Sequence, residues 1–224
     1  MIDMELKPNK ILGAEGWCIP PAAQFVKIKG EDIMKYKIIA LFGPSGSGKD
    51  TLLDAITKAD LSIKLNKIIT TTTRPPRDYE INDIHYHFVS VDEFGAGIID
   101  GTMLEATTFN NWLYGTSIND LDSSAINIGV FNPMAIECLL DDSRLEVLPV
   151  LVSASDKNRL LRQLNREDEP DCAEICRRFG ADQKDFADID FNYKILNNNH
   201  EGVAWMNKKQ FHDSLAQFIE DNFN

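Results

Sequence analysis

One stretch, residues 37–59, limits what this chain can fold into more than any other. KIIALFG (37–43) is a short apolar run suited to a buried strand, PSGSGKD follows, and DTLLDAITKA (50–59) has the spacing of a helix. Gly43-Pro44-Ser45-Gly46-Ser47-Gly48-Lys49 fits the pattern GxxxxGK between a strand and a helix, the context in which that pattern binds phosphate. Its glycines let successive backbone N–H groups turn inward. The helix that follows adds about half a positive charge at its N-terminus. Gly43, Ser45, Gly46, Ser47 and Gly48 are therefore candidate phosphate contacts, with Lys49 reaching the outer phosphates. Asp50 stands where a Ser or Thr normally meets Mg²⁺. Thr51 follows, turned about 100° further around the helix. A carboxylate is a hard ligand, so Asp50 is a candidate for the metal, directly or through water.

The rest of the chain alternates strand and helix patterns. KIITTT (67–72), MLEATTF (103–109), AINIGVF (125–131), RLEVLPVLVS (144–153) and FNYKILN (191–197) read as strands, and the alternating IHYHFVSV (84–91) as a half-exposed one. Pro149 inside the fourth of these runs implies an edge or a bulge. Asp92 is placed to cap a short helix, and polar helices are expected at about 155–166 and 170–187. A last helix should pack Phe211, Leu215, Phe218 and Ile219 on the core. Strands separated by helices imply a parallel sheet covered on both faces. The segment from about 70 to 120 is richer in β pattern and reads as an inserted lobe. Residues 1–36, with Pro8, Pro20 and Pro21 and little periodicity, read as an irregular extension of unknown role.

Lys and Arg number 23 against 35 Asp and Glu, a net charge of −12. Such a surface disfavours nucleic acid and anionic membrane as partners, because both are polyanions. A small anion is still admissible, since six of the eight arginines gather in two segments, Arg74/Arg77 and Arg162/Arg166/Arg177/Arg178. No run approaches the roughly 20 apolar residues of a membrane helix, and MIDMELKPNK lacks the form of a signal peptide. Cys18, Cys138, Cys172 and Cys176 match no common zinc spacing, so reduced thiols and a cytoplasmic location are expected. His85 and His87 share a strand face, which suits a solvated hairpin better than a metal pair.

GPSGSGKDTLL, TTTRPPRDYEINDIHYHFVSVDEF and LEATTFNNWLYGTS, in this order, resemble guanylate kinase over about residues 36–222. The resemblance implies an α/β fold: a P-loop NTPase core of parallel sheet with helices on both faces, an NMP-binding lobe at about 70–120 and a helical lid at about 158–182, within a domain spanning 37–222. It implies transfer of the ATP γ-phosphate to GMP or dGMP, with Mg²⁺. Arg74 and Arg77 match the clamp on the GMP phosphate, Tyr86 and Tyr114 the hydroxyls that assist it. Thr70 and Glu105 match the readers of the guanine edge, and Thr116 a further hydroxyl at the base. Arg162 and Arg166 match the lid arginines that close on ATP, with Arg177 or Arg178 completing them. Asn197 matches a residue near adenine.

The chemistry agrees independently. A phosphate dianion calls for forked guanidinium donors. Guanine offers N1–H and N2–H₂ donors that a carboxylate such as Glu105 accepts, and adenine lacks that pair. One departure stands out: INIGVFNP has no aspartate where the family's core strand ends in two, and Asn132 is the nearest polar residue. Asp50 is the candidate to supply the missing negative charge. Three alternatives stay open at this point. They are a relaxed deoxynucleoside monophosphate kinase, an enzyme like ribose 1,5-bisphosphate phosphokinase, and an inactive guanylate-kinase-like protein-binding module. Monomer and homo-oligomer are equally open.

Overall fold

A computed structural model of the chain describes residues 35–58, 63–77, 80–109, 111–166, 169–187 and 194–196. The elements in chain order are β1 (Tyr36–Phe42), α1 (Lys49–Thr57), β2 (Leu65–Lys67), β3 (Thr71–Thr72), β4 (His87–Phe88), α2 (Val91–Ile99), β5 (Met103–Phe109), β6 (Trp112–Ser117), β7 (Ile126–Val130), α3 (Pro133–Asp141), β8 (Leu145–Ser153), α4 (Asp156–Leu164), α5 (Cys172–Asp185) and β9 (Lys194–Leu196). The expectations placed on the N-terminal extension, Asn197 and the C-terminal helix lie outside the described residues.

β1 is the centre of a five-stranded sheet of order β2-β7-β1-β8-β9, and every pairing in it is parallel. Side chains alternate across a strand, so β1 feeds two cores. Ile39 and Leu41 pack with Leu52, Leu53 and Ile56 of α1. Ile38, Ala40 and Phe42 pack with Ala135, Ile136 and Leu139 of α3 on the opposite face. This is the expected α/β architecture, and it explains why KIIALF is apolar at every second position on both sides. Burial of both faces leaves the loop after Phe42 at the carboxyl end of the central strand, where open parallel sheets hold their ligands.

A second sheet, of order β4-β3-β6-β5, spans residues 71–117 and has its own small core of Phe94, Met103 and Ala106. The run 67–72 is therefore two strands and not one. β2 belongs to the parallel sheet, Ile68 N–H still bonds the Ile128 carbonyl, and the chain then crosses to the second sheet before Thr71. Of the alternating run 84–91 only His87–Phe88 form a strand, and a turn at 83–85 precedes it. Asp83 adopts a left-handed φ of 63°, and the Asn82 side chain accepts the Phe88 N–H at 2.9 Å, so local side-chain bonds replace a strand ladder there.

Two further expectations need correction, on Asp92 and on the cysteines. The cap of α2 is Ser90, which forms a reciprocal capping box with Glu93, while Asp92 sits in the first turn. Asn132 caps α3, its Oδ1 accepting Ala135 N–H at 2.7 Å and its Nδ2 donating to Thr107 Oγ1 at 3.2 Å. Its side chain is thus engaged on both its oxygen and its nitrogen. Reduced thiols hold for Cys172 and Cys176, which are free and exposed, but Cys138 is disulfide-bonded. Spacing along the chain tests for a zinc pattern and says nothing about which cysteines meet in space. Pro149 sits in β8 two residues before the pairing with β9 begins at Leu151, so it disturbs only a stretch with β1 as described partner. No helix among the described residues is long and apolar enough to cross a membrane.

Candidate active site

Two positions of the loop after β1 leave no room for a side chain. At Gly43 a Cβ would lie 2.0 Å from the Val152 carbonyl oxygen, and at Gly46 (φ 76°) one would lie 2.5 Å from the Arg159 carbonyl oxygen. Of the five described α-helices, α2, α3, α4 and α5 carry a side-chain cap, from Ser90, Asn132, Ser155 and Asp171. α1 begins instead at Gly48, which offers no capping side chain. The free N–H end of α1 thus points into the loop, as a phosphate cradle requires. Lys49 Nζ donates to the carbonyls of Gly43 at 2.7 Å and Pro44 at 3.1 Å. Burial draws its ammonium below the ordinary lysine value, with Arg166 and Arg159 acting the same way and Asp50 and Asp182 opposing. Ser47 is fully buried in the loop, and Asp50 and Thr51 are exposed on the first turn of α1.

Across from the loop, the second sheet carries a cluster of arginine, carboxylate and phenol. Arg74 Nη2 donates to Glu80 Oε1 at 2.8 Å, and the Arg77 N–H donates to Glu80 Oε2 at 2.7 Å. The Arg74 guanidinium lies 5.3 Å from the Tyr86 ring centre and 5.7 Å from that of Phe88. Tyr86 meets Tyr114 edge-on with ring centres 6.3 Å apart. Hydrogen bonding from Arg74 holds the Glu80 carboxyl down to about 2. Burial and then Tyr114 raise the Tyr86 phenol, Arg74 opposes, and Asp50 and Glu80 add to the rise. Asp50 on α1 is therefore within electrostatic reach of both Lys49 and Tyr86. Arg77 remains 63% exposed at its side chain against 14% for Arg74, so Arg74 is the fixed member of the pair.

Deeper in the same sheet, Glu105 and Thr116 are direct cross-strand partners of β5 and β6. Thr116 Oγ1 donates to Glu105 Oε1 at 2.8 Å, with Glu105 5% and Thr116 1% exposed. Burial pushes the Glu105 carboxyl up to about 7, the Thr116 bond only partly opposing it. Thr71 pairs with Gly115, which places Thr70, one residue earlier, opposite Thr116 in the antiparallel register. A buried carboxylate with one hydrogen-bonding oxygen committed to Thr116 is a selective acceptor for a donor-bearing edge.

α4 closes the other side. Arg162 Nη1 donates to the carbonyls of Gly46 at 3.2 Å and Ser47 at 3.3 Å, and burial lowers its guanidinium. Arg166 is exposed near Lys49, on whose ammonium it acts. Arg177 and Arg178 both hold Glu174, each at 2.6 Å. A cavity of about 320 Å³ opens along α4, lined by Asn158, Leu161, Arg162 and Asn165. His87 lies between Asp83 at 2.7 Å and Asp120 at 2.9 Å, while His85 accepts the Ile81 N–H. The two histidines therefore do not converge, and no group of three metal-ligating side chains occurs among the described residues.

A model of the guanylate kinase family matches residues 35–213. The chain belongs to the guanylate kinase family. Guanylate kinase from Campylobacter jejuni is 28% identical over 165 residues, covering 71% of this chain and 80% of that protein. Guanylate kinase from Histophilus somni is 32% identical over 164 residues, covering 69% of this chain and 76% of that protein. The Malacoplasma penetrans guanylate kinase reaches 44% identity over 87 residues, 39% of this chain and 44% of that protein. Among solved structures, guanylate kinase from Anaplasma phagocytophilum shares the fold with a TM-score of 0.56 at 17% identity, covering 85% of this chain and 88% of that one.

Within that family frame, sequence reasoning missed Glu80, Arg159 and Asp182. Glu80 had a local signal, an acid three residues beyond Arg77. Arg159 and Asp182 had none, because the contact between them is set by how α4 and α5 pack.

Proposed function

We propose that this chain transfers the γ-phosphoryl group of ATP to GMP or dGMP, giving ADP and GDP or dGDP. The observation that carries this reading is the buried Glu105–Thr116 pair on the sheet that also presents Arg74, facing Lys49 across Asp50 and Tyr86. A base-free sugar phosphate offers a buried carboxylate only hydroxyl donors and not the paired N–H edge of guanine. A protein-binding module has no use for a half-buried lysine folded into a glycine loop.

In this reading Lys49, the loop N–H groups, Arg162 and Arg166 hold the ATP phosphates, with Arg178 closing from α5. Arg74, Arg77, Tyr86 and Tyr114 hold the acceptor phosphate, and Thr70, Glu105 and Thr116 hold guanine. The acceptor phosphate has its second pKa near 6 and is already a nucleophile at neutral pH, so no general base is needed. Catalysis is positioning plus charge neutralisation. Lys49 must leave the carbonyls of Gly43 and Pro44 to reach phosphate. Glu80 keeps Arg74 aimed while remaining ionised, since its carboxyl titrates far below neutrality. Closure of α4 and α5 over the loop would exclude water from the transfer. Both nucleotides are metabolites of the cytoplasm, which favours that location.

Asp50 suits Mg²⁺, which keeps several waters and takes only one or two carboxylates beside substrate phosphates. Its carboxylate is exposed beside Lys49 and would hold the ion, whose chemistry is to neutralise charge between the outer phosphates. Asp50→Ala should raise the Mg²⁺ concentration for half-maximal turnover about tenfold. An unchanged Mg²⁺ titration would remove Asp50 from this role.

The clamp is tested by Arg74→Ala and Glu80→Gln. Arg74→Ala should lower kcat/KM for GMP roughly 10²-fold, the range for truncating a hydrogen-bonded charge. Glu80→Gln should raise KM for GMP severalfold with a smaller change in kcat, because it loosens aim without removing the guanidinium. Steady-state kinetics in GMP at saturating ATP separate the two.

A further inference from the structure

We infer that Arg159 and Asp182 form a brace that fixes the apex of the phosphate loop, making Asp182 a positioning residue for ATP. The inference rests on reading the loop as the ATP phosphate site. Asp182 Oδ2 accepts the Ser45 N–H at 2.8 Å. The same oxygen accepts Arg159 Nη2 at 2.7 Å. Arg159 Nε in turn donates to the Ser45 carbonyl at 3.0 Å. One peptide residue is thus held by both its N–H and its C=O, by two side chains that are also paired with each other.

The brace is anchored on all sides. The Arg159 side chain is 4% exposed and that of Asp182 is 14% exposed. Arg159 Nη1 donates to Asp156 at 3.2 Å, and the guanidinium lies 4.7 Å from the Phe179 ring centre. Gly46 packs so closely on Arg159 that no side chain fits there. Asp182 belongs to α5 and Arg159 to α4, so both helices reach Ser45 through one ion pair.

The consequence follows from the loop's composition. A segment rich in glycine and serine has many backbone conformations, and a ligand that must order it binds more weakly. Fixing Ser45 beforehand leaves the following N–H groups arranged before nucleotide arrives. The pair carries no net charge, so it positions the loop without opposing a polyanion. Its effect should fall on ATP and spare the distant guanine site.

The test uses the full chain with two variants, Asp182→Ala and the double replacement Arg159→Leu with Asp182→Ala. The double variant leaves no unpaired buried charge, which guards against simple unfolding. MgATP affinity is measured by calorimetry without GMP, alongside KM for each nucleotide and the melting temperature. Both variants should bind MgATP about tenfold more weakly. KM for GMP should stay within about twofold, and the double variant should be no worse than the single one. Wild-type ATP affinity in the double variant, or equal rises in both KM values, would overturn the brace. If the parent chain binds MgATP but does not phosphorylate GMP, the reading of the acceptor fails while the ATP measurements still decide the brace.

Discussion

Glu105→Gln is expected to yield a protein that is more stable than the parent at pH 8 and far poorer at choosing guanine. Glu105 is 5% exposed, and burial raises its carboxyl from the ordinary 4.5 to about 7. Below pH 4.5 the group is protonated in both folded and unfolded chains and has no pH-dependent effect. Between 4.5 and about 7 the folded state keeps a proton that the unfolded state has lost, so stability falls as pH rises. Above 7 the loss is complete and constant. At about 1.4 kcal/mol per tenfold change in proton affinity, it amounts to about 3 kcal/mol. Gln cannot ionise and escapes this cost. Urea unfolding of parent and variant should therefore show little difference near pH 4.5 and a gain of about 3 kcal/mol for the variant at pH 8. An equal difference at both values would mean that burial does not govern this carboxyl. Discrimination of GMP against AMP should fall by about 10² or more in kcat/KM, because the acceptor for the guanine donors is half replaced by an amide donor. The buried charge thus weakens the fold and serves the site.

Lys49→Met should reduce kcat by roughly 10³-fold, the upper end for loss of one charged donor to a transferring group. KM for GMP should change little, since Lys49 lies on the other side of the transfer. The fold should survive, because the ammonium is already drawn below its ordinary value by burial and its bonds are to loop carbonyls. Removing it takes away a charge that the ligand-free protein gains little by burying. A variant that keeps more than a tenth of the parent kcat would show that the phosphates do not lie along this loop.

Much of this was legible in the chain because the relevant spacing is local. The strand, glycine loop and helix of 37–59 appear where the pattern places them, and Glu105 and Thr116 meet because MLEATTF and WLYGTS alternate in and out of one small sheet. What was not legible depends on contacts across the fold or on competition between them. The run KIITTT divides because two sheets compete for it, and IHYHFVSV keeps only His87–Phe88 as strand because Asn82 and Asp83 satisfy the backbone locally before it. Asn132, the polar residue nearest the missing core aspartates, is a helix cap, a role set by where α3 begins. Asp182 and Arg159 join the site only through the packing of α5 on α4, which no spacing rule contains.

The most direct measurement is turnover of the purified chain with MgATP against GMP, dGMP, AMP, CMP, UMP and ribose 1,5-bisphosphate, each also without Mg²⁺. Phosphorylation of GMP and dGMP, dependent on Mg²⁺ and exceeding that of every other acceptor by 10² or more in kcat/KM, is the expected result. Turnover of the sugar bisphosphate in preference to GMP, indifference among the bases, or none with any acceptor despite MgATP binding would contradict it.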